Sequence, residues 1–359
     1  MNTAAESEPQ DAIIGIRDKR TLTMRAIAIL IGVLLISAVP AFAQTSNPTP
    51  AQQPATGQTG GMGPSIVAPE LFNRGMSALD NQNFDQALLD FSLLILLNPT
   101  FSQGYYGQAV GYLGRQELDQ AFAAAERALE TAPANNNYRA SIHALIGELY
   151  VYRNDADSAI EAYQRAAELA PSSEYFVNLA ILMVQARRYE EGIRALDSAI
   201  ELTPDDPVLL IYRAFTYNAL GELLPAAQDY FAFVQAIATE TRLGRPLVAN
   251  VPQFVNITEG VVYRFGLTAE AGQIVTIRAE GRPGDSIDPL IILLDASGSV
   301  LAADDDSGAG SRVNSRIADF VIPADGTYTV LLTHSLGGAT GEVAIGIQFA
   351  QTESATEGE

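Results

Sequence analysis

Residues 159–171 read Ala159-Ile160-Glu161-Ala162-Tyr163-Gln164-Arg165-Ala166-Ala167-Glu168-Leu169-Ala170-Pro171. A small residue, Ala159, is followed four positions later by Tyr163 and three further on by Ala166; Pro171 closes the phrase. Spacings of three and four put these side chains on one face of a helix. Proline ends that helix, because it has no amide to donate and restricts the residue before it. The phrase recurs as Ala87-Phe91-Leu94-Pro99, Ala121-Ala125-Ala128-Pro133 and Gly192-Leu196-Ala199-Pro204, and without its proline as Ala226-Tyr230-Phe233. The prolines stand 34, 38 and 33 residues apart. A period of that length predicts a repeat architecture, and it points toward binding and away from catalysis.

A second helix is predicted before each phrase. Its mark is a small residue with a larger one three positions on: Gly75 and Ala78 (a weak instance), Ala109 and Tyr112, Gly147 and Tyr150, Ala180 and Met183, Ala214 and Tyr217. The small residue lets two helix backbones approach, and the large one fills the space beside it. Short polar turns separate the pairs at Asn81 to Asn83, Gly114 to Gln116, Asn154 to Ala156, Arg187-Arg188 and Gly221-Glu222. One hairpin cannot bury its own apolar face, so the copies must stack.

This order of residues resembles the tetratricopeptide repeat over about residues 68 to 240. The resemblance implies an α-helical solenoid of about five hairpins over residues 67–240. Some features depart from it. The chain has no tryptophan, and Gly192 stands where the second helix usually has alanine. Four extra residues around Asn135-Asn136-Asn137 are expected to bend or loosen one junction. The last copy reads as a C-terminal cap.

The 359 residues include no cysteine, which excludes disulfides, thiol nucleophiles and cysteine zinc sites. Residues 26–39 form an uncharged apolar run preceded by Arg17, Lys19, Arg20 and Arg25 and followed by Pro40 and Ala41-Phe42-Ala43. That is a signal-peptide pattern over residues 1–43, with cleavage before Gln44 and Met24 as an alternative start. The run is short of the roughly 20 residues a bilayer span needs, so no stable membrane span is expected after cleavage. A retained anchor is the alternative. Residues 44–66, rich in Pro, Gln, Thr, Gly and Ser, read as a disordered tether. The formal charge is −21, which disfavours nucleic acid and anionic lipid as partners. The expected location is periplasmic or extracellular.

Beyond Thr241 the grammar changes to short β-rich runs between Gly, Asp and Asn turns. Strands are expected at Val261–Leu267, Ile274–Ala279, Leu290–Leu294, Val300–Ala303, Arg316–Ile322, Thr327–Thr333 and Val343–Phe349. Seven short strands argue an antiparallel β-sandwich or jelly roll over residues 253–350. Residues 241–252 read as a linker and 351–359 as a disordered acidic tail. The landmarks Tyr263-Arg264-Phe265, Ala271-Gly272, Asp288-Pro289, Leu293-Leu294-Asp295 with Gly298, Leu301-Ala302 with Asp304-Asp305, and Gly326-Thr327-Tyr328 resemble the bacterial pre-peptidase C-terminal domain. That resemblance implies an association with secretion.

No metalloprotease, nucleophile-elbow or phosphate-loop motif is present. His143 is read as a packed or half-exposed residue at a helix start, and His334 as a strand end facing solvent. No enzyme activity is expected. Asp304, Asp305 and Asp306, with Asp285, Asp288 and Asp295 on neighbouring loops, offer oxygen ligands for calcium; the alternative is a solvated turn. In a repeat solenoid the first helix of each pair lines the concave face. By spacing that face presents Phe72, Met76, Tyr106, Val110, Glu148, Tyr152, Val177, Ile181, Ile211, Phe215 and Asn218. It is apolar and nearly free of positive charge, so the expected ligand is an apolar or amphipathic protein segment rather than an acidic tail. Core packing is the alternative for some of these residues. The resulting expectation is an exported protein-interaction adaptor. Two rival readings follow it: a polysaccharide- or matrix-binding module and, last, a carboxylate-dependent hydrolase.

Overall fold

The computed structural model describes residues 64–282, 287–305, 314–335 and 340–350. They fall into two compact units, one ending at Arg188 and one beginning at Tyr189.

The first unit holds α1 (Pro64–Asp80), α2 (Phe84–Leu97), α3 (Ser102–Gly114), α4 (Leu118–Thr131), α5 (Asn136–Tyr152), α6 (Ala156–Leu169) and α7 (Ser173–Gln185). The repeat phrase is its buried face. Ala87, Phe91, Leu94, Ala121, Ala125, Ala128, Ala159, Tyr163 and Ala166 are all at most 3% exposed. The small residues of the first helices are where the large knobs land: a Cβ on Gly147 would sit 2.8 Å from the Tyr163 ring, and one on Gly75 2.9 Å from the Phe91 ring. Pro99, Pro133 and Pro171 each stand two residues past the end of α2, α4 and α6, as the missing amide requires.

The hairpin turns share one device. Gln82, Gln116, Asn154 and Arg187 have φ of 56°, 61°, 57° and 60°. In each, the next residue's amide donates back to the larger residue of the first helix: Asn83 to Ala78 O, Glu117 to Tyr112 O, Asp155 to Tyr150 O and Arg188 to Met183 O, at 2.7–3.0 Å. This is the left-handed helix stop that satisfies the orphan carbonyls. The four-residue insertion does not loosen its junction. Asn135 caps α5 by accepting from the Tyr138 amide at 3.1 Å, and α5 is 17 residues long where α3 and α7 are 13. Four residues are one helical turn, so the insertion is absorbed as helix.

The second unit holds α8 (Tyr189–Leu202), α9 (Val208–Leu220) and α10 (Leu223–Ile237), then nine strands: β1 (Glu240–Leu243), β2 (Gln253–Ile257), β3 (Val261–Ala269), β4 (Ile274–Gly281), β5 (Pro289–Leu294), β6 (Val300–Asp304), β7 (Asn314–Val321), β8 (Gly326–His334) and β9 (Gly341–Phe349). Gly221, at φ 93°, makes the same helix stop at the α9–α10 turn. The sandwich packs a five-stranded sheet, β1-β3-β8-β5-β6, on a four-stranded sheet, β2-β9-β4-β7. Its core holds Phe265, Leu267, Ile277, Ile291, Leu293, Val330 and Ile345.

Two strands lie outside the seven expected. β2 pairs antiparallel with β9. β1 pairs parallel with β3, which makes the first sheet mixed. The stretch read as a linker continues that pairing: Gly244 N donates to Arg264 O and Leu247 N to Gly266 O, and Leu247 is buried in the sandwich core.

The last helical hairpin and the sandwich share a second core. Ile211, Ala214, Phe215, Ala226, Tyr230, Phe233 and Val234 pack with Val262, Leu290, Ile292, Leu294 and Leu331. Every residue of β5 is therefore buried. Ile291 and Leu293 point into the sandwich, while Leu290, Ile292 and Leu294 meet the helices, as a period of two demands. Arg213 ties the hairpin together, donating from Nε to Asp229 Oδ2 at 2.8 Å and from Nη2 to Oδ1 at 2.7 Å. Arg74 and Asp90 hold the same two places in the first hairpin.

Candidate functional site

The first helices of the unit ending at Arg188 carry most of the expected groove residues. Phe72 and Met76 on α1 are half-buried against the first-hairpin core, and the Phe72 ring lies edge-on to Phe91 and Phe101 at 6.3 and 6.0 Å. Tyr106 on α3 is 8% exposed, and Val110 is half-buried between two core clusters. Glu148 on α5 is half-buried, Tyr152 one turn later is 42% exposed, and Val177 on α7 is half-buried. Ile181 is 1% exposed and is a packing residue.

Glu148 is the chemical centre of this face. Burial, and then repulsion by Glu174, push its carboxyl up to about 7. Glu174 is exposed on α7, yet the side chains around it still desolvate its carboxyl enough to raise it. The negative charge at Glu148 in turn raises the phenols of Tyr106, Tyr163 and Tyr152, each already raised by burial. Tyr138 completes the aromatic wall. Its ring centroid is 6.2 Å from that of Tyr106, its hydroxyl meets Ser102 Oγ at 2.9 Å, and burial pushes it up to about 12. Burial likewise raises the Tyr175 phenol. Two carboxyls among tyrosines, one of them poised near neutrality, make a place suited to a cationic group with an apolar stem.

Sequence spacing found Tyr106, Glu148 and Tyr152 but not Tyr138, Glu174 or Tyr175. Tyr138 belongs to the inserted turn, so no repeat register assigns it a face. The other signal available was that Glu148 and Glu174 are the only acids of α5 and α7.

Ile211, Phe215 and Asn218 are not groove residues. They lie in the second unit, and Ile211 and Phe215 are in the core shared with the sheet. Asn218 Nδ2 donates to the Tyr230 hydroxyl at 3.1 Å, and that hydroxyl donates to Asp305 Oδ1 at 2.8 Å.

The described carboxylates of the calcium expectation are engaged with protein donors. Besides the Tyr230 bond to Asp305, Asp304 Oδ2 accepts from the Arg316 amide at 2.6 Å and Asp288 Oδ2 from the Ser335 hydroxyl at 2.6 Å. Asp285 and Asp306 lie outside the described residues. Among the described residues no three His, Asp or Glu side chains form a metal-holding group. His143 sits in the middle of α5 rather than at its start, half-buried, its imidazole lowered by burial and by Arg165 and Arg139. His334 ends β8 as expected but is 6% exposed, with neither ring nitrogen hydrogen-bonded, and so does not face solvent.

Residues 72–137 and 144–207 match the tetratricopeptide repeat, and residues 262–334 match the bacterial pre-peptidase C-terminal domain. The chain thus carries tetratricopeptide repeats and, after them, a domain of the bacterial pre-peptidase C-terminal type. No curated protein matches it. Among solved structures it is similar to PilF of Pseudomonas aeruginosa (18% identity, 49% of this chain, 79% of that one, TM-score 0.43). It is also similar to MamA of Desulfovibrio magneticus (15% identity, 49% and 97%, TM-score 0.42). YrrB, described as a repeat protein with an unusual peptide-binding site, is similar at 17% identity over 47% and 86%, TM-score 0.39. Likenesses this distant say nothing of function.

Proposed function

We propose that the chain is a protein-interaction adaptor that takes an apolar or amphipathic segment on the first-helix face of residues 64–188, with a cationic side chain of that segment seated at Glu148. Tetratricopeptide repeats serve protein–protein interaction, and neither they nor the pre-peptidase C-terminal domain are typically catalytic. The observation that carries the finer reading is Glu148: a carboxyl held near pH 7 among Tyr106, Tyr152 and Tyr163. A bound cation favours the ionised form, so affinity rises as pH rises through about 7 and gains about tenfold between about pH 6 and pH 8.

The test uses two labelled apolar helix-forming peptides, one with a central arginine and one with leucine there, titrated against the full chain by anisotropy. The arginine peptide is expected to bind more tightly at pH 8, with the advantage shrinking at pH 6 and vanishing in Glu148→Gln. Equal affinities at both pH values would overturn the reading. Val177→Glu tests the face without entering the core, whereas a charge at Ile181 would test folding instead.

Export is part of the proposal. It is supported by the basic residues before the apolar run 26–39 and by Ala41-Phe42-Ala43 after it. Among the described residues no helix is long and apolar enough to cross a membrane. N-terminal sequencing of material recovered outside the cytoplasm is expected to begin at Gln44; a start upstream of residue 26 would refute removal of the leader.

A further inference from the structure

The outer face of α2 departs from the rule of the other repeats. Leu89, Leu93, Leu96 and Leu97 are 53%, 39%, 76% and 47% exposed. They recur at four, three and one positions, so they form one stripe, opposite the buried set Ala87, Leu88, Phe91 and Leu94. The repeat register supplies an internal comparison. The equivalent positions are Ala123, Arg127, Glu130 and Thr131 on α4, and Glu161, Arg165, Glu168 and Leu169 on α6. There the middle pair forms a surface ion pair, Arg127 with Glu130 and Arg165 with Glu168. Helix stability does not need leucine at the first three of these places, since both sister helices do without it there. Four exposed leucines on one helix instead mark a docking surface.

We propose that the α2 stripe docks an amphipathic helix of a partner protein, with leucine-like residues at its centre and basic residues on its flanks. The stripe is one helix wide and a little over two turns long, a footprint that suits a single docked helix. It falls short of the roughly 800 Å² per partner of a standard dimer interface. Charge selects the flanks. Residues 64–188 hold fourteen Asp and Glu against eight Arg and no Lys. Asp85, one turn before Leu89 on the same face, is exposed and already paired with Arg115 at 2.7 Å, so the attraction comes from the excess of acids over the whole unit. A second copy of this chain would bring another −21, and an anionic lipid surface is repelled likewise. A basic-flanked helix is attracted. This surface is separate from the Glu148 face.

The probe is a labelled helix-forming peptide with leucines at every third and fourth position and arginines beside them. Its control carries glutamates in place of the arginines. Both are titrated against the full chain by anisotropy. The test variant is Leu93→Arg with Leu96→Glu, which installs the ion pair of the next two repeats and leaves net charge unchanged. The arginine-flanked peptide is expected to bind at least about tenfold more tightly than its control, and the variant to lose at least about tenfold while its thermal melt is unchanged. All titrations are made in a Glu148→Gln background, which removes the cation seat of the first-helix face, and a second variant there, Leu89→Gln with Leu97→Gln, is expected to show the same loss. The proposal is overturned if the peptide binds the variants as it binds the parent. It is equally overturned if the variants instead abolish pelleting with zwitterionic vesicles or convert a dimer to a monomer in sedimentation.

Discussion

Replacing Glu148 by glutamine isolates the cost of keeping a carboxylate on the tyrosine face. The folded state holds this carboxyl near 7 against an ordinary value of 4.5. Between those two values the folded chain binds a proton that the unfolded chain has released. Its stabilising effect is therefore complete below about 4.5 and is lost as pH rises through about 7. Holding one proton across one pH unit is worth about 1.4 kcal/mol, so from about pH 5 to pH 8 the native protein loses about 2 to 3 kcal/mol through this group. Glutamine keeps the shape and does not titrate. The stability difference between Glu148→Gln and the parent should thus grow by about 2 to 3 kcal/mol in favour of the variant over that interval. Urea unfolding followed by circular dichroism at several pH values reads it directly, provided the slopes with urea agree. A difference that stays flat with pH, or that turns against the variant, would refute the placement of an ionisable, desolvated carboxyl here.

Gln116 holds a left-handed conformation at the α3–α4 turn that costs a side chain energy but not glycine. Gln116→Gly should stabilise the first unit by about 0.5 to 1 kcal/mol in urea melts, and destabilisation would show that the side chain has a role the turn geometry does not explain. Removing the sandwich should unfold the last hairpin. In a chain ending at Ala238, Phe233 and Val234 lose the sheet residues Val262, Leu290 and Ile292. Hydrogen exchange of α9 and α10 amides is expected to lose most of its protection while α3 to α6 keep theirs. Equal protection of α10 with and without residues 240–359 would show that the shared core adds nothing.

The helical repeats were legible because each depends on local chemistry. Small-large-small spacing sets the buried face from Ala87 to Tyr163, proline stops each second helix, and polar turn residues accept a left-handed conformation. The strands from β3 to β9 were legible for the same reason: their period of two and their turns are written within a few residues. What the tertiary structure alone decided is what those faces meet. Leu290 to Leu294 is a continuous apolar run, which in a sheet means burial on both sides. Only the fold shows that one side packs in the sandwich and the other against Phe215, Tyr230 and Phe233. That contact turns Ile211 and Phe215 from groove candidates into core, and draws residues read as a linker into strand pairing beside β3. Likewise Glu148 is an ordinary helix acid in sequence; its carboxyl rises only because the helices bury it beside Glu174. Spacing fixes which face of an element is apolar, but desolvation and charge depend on neighbours distant in sequence, and no local pattern carries them.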